Sequence, residues 1–147
     1  MARTTPFGAF NFLVTIDGFP DLAAFSDVSG LMTDLTIAEY RYGNDADNHV
    51  RKVPGIHKVG DVTLKRGIVN STSMWEWISQ ARIAGPEGKP NAIITLRDEA
   101  GQPVQRWKLN RVLPMKYTGP TLAAKGGGDV AMEELVLSVE GIEITGP

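Results

Sequence analysis

The stretch "NAIITLRDEAGQPVQRWKLNRVLP" (Asn91–Pro114) decides the fold class. Two runs that contain many apolar residues flank the acidic, glycine-containing segment "DEAGQP" (Asp98–Pro103). Asp, Gly and Pro between two strand-like runs are typical of a turn. This stretch therefore predicts an antiparallel β-hairpin.

Segments on both sides of this hairpin alternate apolar and polar residues with a period of two, as half-buried strands do. The N-terminal "FNFLVTID" and the central "DVTLKRGI" both have this pattern. In the C-terminal "AMEELVLSVEGIEI", Leu135 and Leu137 lie on the face opposite Glu134, Ser138 and Glu140. We therefore expect most of the chain to form strands.

One segment has the period of a helix instead. Its apolar residues repeat at helical spacing and form one stripe: Met74, Trp77, Ile78 and Ala81. Trp75 lies off this stripe. Ser73 and Glu76 predict a capping box at the start, and Gly85-Pro86 predicts the end. The sequence thus predicts an antiparallel β-barrel or sandwich with one α-helix, at about 73–84.

The region 41–59 lacks either period, and we expect it to form a long extended loop. Loops longer than about 12–15 residues usually have a function or are disordered. No internal repeat or composition shift marks a domain boundary, so a single domain is expected over residues 1–147.

The composition excludes several classes of protein. The chain has 147 residues and no cysteine, which rules out disulfides, thiolate metal sites and cysteine nucleophiles. Its net charge of −2 provides no global basic field for nucleic acid or anionic lipid. The N-terminal segment has no uninterrupted apolar core. We therefore expect synthesis in the cytoplasm without a signal peptide or a membrane anchor.

The basic stretch "HVRKVPGIHKVGDVTLKRGI" (His49–Ile68) is the strongest candidate for a functional site. His49 and His57 are separated by a Pro-Gly turn, and no regular spacing brings them together as metal ligands. The stretch lacks the Gly-Lys-Ser/Thr ending of a phosphate-binding loop, and the chain has no Gly-x-Ser-x-Gly motif. We expect no metal, no cofactor and no enzymatic activity.

Contact with nucleic acid or with other copies of the chain remains open for this stretch. Its cations can contact the phosphates of a single strand: Arg51, Lys52, Lys58, Lys65 and Arg66. That mode also needs exposed aromatic residues, and none occurs between Tyr42 and Trp75. The acidic run "NDADN" lies directly upstream. Opposite charges in blocks favour contacts between neighbouring copies of one protein.

The chain as a whole resembles the tail-tube proteins of contractile-tailed phages and of phage-tail-like, extracellular contractile injection systems. The matching stretches run in order along the chain: "PFGAFNFLVTIDG", "FSDVSGLMTDLTIAEYRYGND", "VRKVPGIHKVGDVTLKRGI", "WEWI", "RWKLNRVLPMKYTGP" and "MEELVLSVEGIEI". The combination "EYRYGND…VRKVPG…VTLKRGI" is the most specific of them.

The resemblance implies a mechanical function. Hexameric rings would stack into a hollow tube inside a contractile sheath, and contraction would drive the tube through a target envelope. The implied partners are other copies of the chain, the sheath protein, baseplate or tube-initiating and tube-terminating proteins, and an effector or DNA in the lumen. The protein would belong to a phage tail or to a released or cytoplasmic injection particle. Two alternatives are a tube-initiating or baseplate adaptor of the same fold and a barrel that binds single-stranded nucleic acid.

The candidate site residues follow from this expected role. In the related family the region 41–59 makes contacts between rings. We predict that the subunit interface includes Asp45, Asp47, Arg51, Lys52, Pro54, Gly55, Lys58, Lys65, Arg66 and Trp75. A lumen wall must be polar if cargo is to slide along it, and we predict that Thr36, Ser138 and Glu140 face the lumen.

Overall fold

The part of the chain that the structure describes forms eight strands and one helix. The structure, a computed structural model, describes residues 5–19, 25–44, 46, 49–68, 72–85, 89–124 and 130–146. In chain order the elements are β1 (Phe12–Ile16), β2 (Asp27–Ser29), β3 (Thr33–Tyr40), β4 (Arg51–Val59), β5 (Val62–Gly67), α1 (Ser73–Ala84), β6 (Ala92–Arg97), β7 (Pro103–Thr118) and β8 (Met132–Thr145). The predicted β-rich fold with one helix is confirmed.

The predicted hairpin is formed by β6 and β7, which pair antiparallel with Ile94 opposite Trp107. Its turn is organised by Asp98. The Asp98 carboxylate accepts hydrogen bonds from the backbone N–H groups of Ala100 and Gln102, each at 2.9 Å. A carboxylate that bonds the backbone a few residues ahead stabilises a tight turn. The turn residues therefore help to set the register of the hairpin.

Six of the strands form one antiparallel sheet that curls into a half-barrel. Their order is β1-β6-β7-β8-β5-β2. The central strands β7 and β8 are the longest, at 16 and 14 residues. Of the strands that the structure describes, β1 and β2 are the outermost in this sheet.

The core combines the apolar faces of the sheet with one side of α1. Among its residues exposed by 1% or less are Val14, Ile16, Val62, Leu64, Trp77, Leu109, Val112, Leu135 and Leu137. From the helix, Met74 and Trp77 are buried, and the Phe19 ring lies 5.7 Å from the Trp77 ring. Each large apolar side chain buried in this way stabilises the fold by about 1.5–3 kcal/mol.

The helix begins and ends where the sequence predicts, but its first turn differs. The residue before the helix is Thr72, not Ser73, and the Thr72 hydroxyl donates to the Glu76 carboxylate at 3.3 Å. The capping box on Ser73 is therefore wrong, because Ser73 is itself a buried first helical residue. Gly85 follows the helix with φ of 59°. Pro86 lies outside the described residues.

A kink in β7 and β8 changes which residues face the core. Leu109 and Val112 are both buried, although they are three positions apart. Arg111 between them has φ of 52° and lies opposite the Gly141 region of β8. A Cβ on Gly141 would lie 3.2 Å from the side-chain nitrogen of Asn110, so a side chain at position 141 would press on the Asn110 side chain. This local break lets two long strands follow the curl of the sheet.

The strands β3 and β4 form a separate two-stranded sheet, which corrects the expected loop at 41–59. Only residues 41–50 connect strands, and residues 51–59 are β4. All eight positions of β3 and the first eight positions of β4 are exposed. Only Val59, at the end of β4, packs against the core, so burial does not require alternation of apolar and polar residues along the rest of β4. We call β3, β4 and the described residues between them the arm.

Candidate functional site

Opposite charges face each other across the two strands of the arm. Asp34 lies directly opposite Lys58, and Glu39 lies opposite Lys52. Cross-strand pairs of opposite charge stabilise antiparallel pairing, by about 0.2–1 kcal/mol each. Lys52 and Lys58 thus each have an anion opposite them on the arm, whereas Arg51 lies opposite Tyr40.

A β-bulge interrupts the arm at its middle. Gly55 and Ile56 of β4 together oppose the single residue Thr36 of β3. A Cβ on Gly55 would lie only 3.1 Å from the Thr36 carbonyl oxygen, so a side chain at this position would press on the backbone. Bulges twist a strand and change the direction of a side chain. Here the bulge residue Ile56 is 73% exposed.

The arm also exposes apolar side chains along its length. These are Leu35 (40% exposed), Ile37 (47%), Val53 (49%) and Ile56 (73%). An isolated two-stranded hairpin is at best marginally stable in water. Contiguous exposed apolar residues commonly mark protein–protein contact sites. The arm therefore has the properties of a surface that another protein chain covers. The sequence analysis did not include these apolar residues in the predicted interface. The signal that could have found Ile56 is its place as an apolar residue within the basic stretch.

Aromatic residues occupy the distal part of the arm. The Tyr40 and Tyr42 rings meet edge to face, with centroids 4.7 Å apart. The Arg51 guanidinium lies 5.3 Å from the Tyr42 ring centroid, within the range of a cation–π contact. These contacts hold the Tyr40, Tyr42 and Arg51 side chains together at the end of the arm where β3 connects to β4.

The structure places most of the predicted interface residues on exposed surfaces. Five of them lie together on β4: Arg51, Lys52, Pro54, Gly55 and Lys58. Lys65 is exposed on β5, opposite Asp27 and Glu134. Trp75 is 56% exposed on α1, and the Arg82 guanidinium lies 5.4 Å from its ring. The structure does not bring Lys65 and Trp75 onto the arm. Asp45 and Asp47 lie outside the described residues.

The prediction for Arg66 is wrong, because this residue is buried. Arg66 is 3% exposed, and its Nε donates to the Glu133 carboxylate at 2.6 Å. The Tyr117 hydroxyl donates to the other oxygen of Glu133 at 2.9 Å, and the Arg66 guanidinium lies 5.6 Å from the Phe25 ring. Burial, together with the hydrogen bond to Glu133 and its charge, raises the pKa of Tyr117 above the usual 10.0. Arg66 therefore joins strands within the chain.

The three predicted lumen residues lie on two different sheets. Thr36 is on the arm, whereas Ser138 and Glu140 are on β8. The Glu140 carboxylate accepts from Lys89 at 2.5 Å and from Arg111 at 3.4 Å. The hydrogen bond from Lys89 is the main cause that lowers the pKa of Glu140 below 4.5. That these residues face a lumen stays a prediction.

Two further features bear on the choice of function. Within the described ranges, no cluster of three or more His, Cys, Asp or Glu side chains is arranged to hold a metal ion. In that same part of the chain, no helix combines the length and apolar character needed to cross a membrane.

The chain is similar to solved structures over nearly its whole length. A chain of the anti-feeding prophage cap (AFP tube terminating cap) is 26% identical, with a TM-score of 0.84, and the match covers 100% of this chain and 95% of that one. A chain of the PVC sheath-tube complex of an extracellular contractile injection system, in the extended state, is 25% identical, with a TM-score of 0.84 and coverage of 98% and 94%. Hcp1 from Flavobacterium johnsoniae shares the fold, at 15% identity and a TM-score of 0.55, with coverage of 94% and 97%.

Sequence comparison gives the same assignment. Among curated proteins no sequence matches the chain. The family model described as T4-like virus tail tube protein gp19 matches residues 8–143. This match spans the half-barrel, the helix and the arm, and leaves out only short segments at both ends. The resemblance seen in the sequence is therefore confirmed, and the chain belongs to the T4-like virus gp19 family of tail tube proteins.

Proposed function

We propose that copies of this tube subunit form hexameric rings that stack into a hollow tube inside a contractile sheath. Family membership supports the tube, and the likeness to a chain of a sheath-tube complex supports the sheath. The observation that carries the proposal is the arm. It is a hairpin whose two faces are exposed and carry apolar residues, so it requires a partner chain.

In the proposed tube, the arm of one copy contacts a different part of the neighbouring copy. A neighbouring copy would cover the arm with another part of its surface and not with its own arm. Such heterologous contacts generate rings when the rotation closes and filaments when it does not. A stacked ring system contains both arrangements. The outermost strands β1 and β2 provide further backbone edges for contacts around a ring.

Many weak contacts add up in such a polymer. Apolar burial stabilises by about 25 cal/mol per Å² of surface removed from water. Exposed ion pairs add about 0–1 kcal/mol each, and their contribution falls with salt. Arg51, Lys52 and Lys58, with Asp45 and Asp47, would supply the charged part of the interface.

The tube would act as a conduit that sheath contraction drives through a target envelope. Its lumen would conduct an effector or DNA, and its ends would contact baseplate or tube-initiating and tube-terminating proteins. A chain of the anti-feeding prophage baseplate is 25% identical to this one with a TM-score of 0.81, which supports a baseplate contact. The polar outer face of β8, with Ser138 and Glu140, is the candidate for the lumen wall.

Electron microscopy of the purified protein tests the proposal. We expect six-fold rings or hollow rods in negative stain. The variant Ile56→Glu should lose them, whereas Ile83→Glu should keep them, since Ile83 is an equally apolar residue that is 88% exposed on α1. A stable monomer that forms neither rings nor rods over a wide range of concentration and salt would overturn the proposal. A salt-sensitive shift of single-stranded DNA by such a monomer would favour the nucleic-acid-binding alternative.

A second variant separates charge from apolar contact. Arg51→Glu/Lys52→Glu places two anions on β4 beside Glu39. We expect shorter rods or a higher salt requirement for assembly. Rods of normal length at low salt would show that these cations do not join subunits.

A further inference from the structure

The half-barrel has an open seam between its two outermost strands, β1 and β2. A cavity of about 540 Å³ lies along this seam. The apolar side chains of its wall come from both sides of the seam: Phe7, Phe12, Val28, Leu31, Leu96 and Trp107. Ile94, which also lines it, is 2% exposed and belongs to the core. We call this space the seam cavity.

The wall of the seam cavity is mainly apolar. Ser26, Asp27, Ser29 and Lys65 also line it, and Asp27 lies opposite Lys65 where β2 pairs with β5. Removing this wall from water would stabilise whatever structure fills the cavity.

The arm of the same chain begins beside the seam cavity but does not fill it. Leu31 lines the cavity, and β3 starts at Thr33. From there the arm leaves as a sheet of its own, with β3 exposed at every position. Among the described residues, none covers the exposed apolar side chains of the arm strands and none fills the mainly apolar seam cavity.

We infer that the seam cavity of one copy receives the arm of a second copy, with Ile56 as the side chain that enters it. The inference rests on the proposed function, because it requires copies of the chain to assemble. Ile56 is the most exposed of the apolar residues on the arm strands, at 73% against 49% for Val53. The bulge at Gly55 and Ile56 also makes Ile56 a local protrusion.

This contact propagates from copy to copy. Because the arm of each copy starts beside its own seam cavity, an arm that fills a neighbour's cavity lies next to the start of that neighbour's arm. Every copy then gives one arm and receives one. A single type of contact can therefore link copies into a continuous row.

Disulfide trapping tests the inference, because the chain has no cysteine of its own. The test variant is Ile56→Cys/Ser29→Cys, since Ser29 lines the seam cavity and is exposed. The matched control is Ile56→Cys/Ser79→Cys, which moves the second thiol to α1. Rods assembled from each variant are treated with a mild oxidant and run on a denaturing, non-reducing gel.

We expect a ladder of covalent multimers from the test variant only. Two thiols that the assembled contact holds together have a millimolar effective concentration, whereas thiols on separate chains meet at micromolar concentration. Disulfide formation should therefore be faster in the test variant than in the control by on the order of a hundredfold or more. Mixed rods made from Ile56→Cys copies and Ser29→Cys copies should give dimers and no ladder. Rods that form normally but give no ladder with Ser29→Cys, or an equal ladder with Ser79→Cys, would overturn the inference and leave the proposed function standing. Failure of the unsubstituted chain to assemble would overturn both.

A second pair of variants decides the question if the cysteine variants do not assemble. Ser29→Trp fills the seam cavity from the side of β2, and Ser79→Trp places the same bulk on α1. We expect Ser29→Trp to lose rods while the melting temperature of its free subunit stays within a few degrees of the unsubstituted chain. Rods from Ser29→Trp with unchanged length would contradict the inference.

Discussion

The buried pair of Arg66 and Glu133 leads to the sharpest prediction about stability. Their side chains are 3% and 10% exposed, and the bonded atoms are 2.6 Å apart. At an effective dielectric constant of about 20, the attraction across this distance is about 6 kcal/mol. Desolvation of the two ions costs several kcal/mol each and offsets most of that gain. The intact pair therefore contributes little net free energy to folding. Removing only one of its two charges should destabilise the fold strongly.

The perturbation is Glu133→Leu, which leaves the Arg66 guanidinium buried without its anion. We expect a loss of about 3–5 kcal/mol in the free energy of unfolding. Stabilities of whole domains are about 5–15 kcal/mol, so this is a large fraction. The double variant Arg66→Leu/Glu133→Leu should recover most of the loss, because no uncompensated charge remains.

Urea unfolding of the free subunit, followed by tryptophan fluorescence, measures these changes. The control is Glu134→Leu, since Glu134 is the next residue on the opposite face of β8. Glu134 lies opposite Lys65, so this change should cost less than about 1 kcal/mol in the free energy of unfolding. The reasoning is refuted if Glu133→Leu costs no more than this control. It is also refuted if the double variant loses as much as the sum of Arg66→Leu and Glu133→Leu.

Three further predictions concern the free subunit. Gly30 has φ of 89°, and a Cβ there would collide with the Asp61 carbonyl oxygen. Gly30→Ala should therefore lower the free energy of unfolding, measured in urea, by about 2 kcal/mol or more. The control Gly43→Ala, where a Cβ would meet open space, should cost under about 1 kcal/mol. Trp77→Ala empties the centre of the core and should cost about 3–5 kcal/mol; a loss below about 1 kcal/mol would contradict the packing described for α1. The pKa of Tyr117 is raised in the folded chain, so its contribution to stability is present below its unfolded pKa and is lost as pH rises through the folded value. Unfolding curves of Tyr117→Phe and of the unsubstituted chain should therefore converge above about pH 10, and a constant difference would count against this.

Periodicity predicts the elements whose one face is buried. The hairpin of β6 and β7, the strand β8 and the helix at Ser73–Ala84 all carry an apolar stripe, because each packs one side on the core. In the arm, β3 alternates Leu35 and Ile37 with Asp34 and Thr36 although it is exposed, whereas β4 has no such stripe and only Val59 at its end packs against the core. The β4 strand was therefore expected to be part of a loop.

The period-two pattern of β5 distinguishes Arg66 from Lys65. It puts Arg66 on the face of Val62 and Leu64 and puts Lys65 on the other face, yet the sequence prediction treated both as cations of one basic stretch. The partner of Arg66, Glu133, lies 67 residues away and meets it only because β5 pairs with β8. The alternation thus indicates that Arg66 is buried, whereas its partner cannot be identified from the local sequence.

The exposed arm makes the stability of part of this protein depend on concentration. A binding partner stabilises the state that it binds by about 2.7 kcal/mol at a hundred times its dissociation constant. Dilute subunits would therefore hold a hairpin that opens readily and is cut first by a protease between residues 41 and 50. The same peptide bonds in a polymer would resist cleavage until the polymer dissolves. Protease sensitivity of this one connection would then report how much of the protein is assembled.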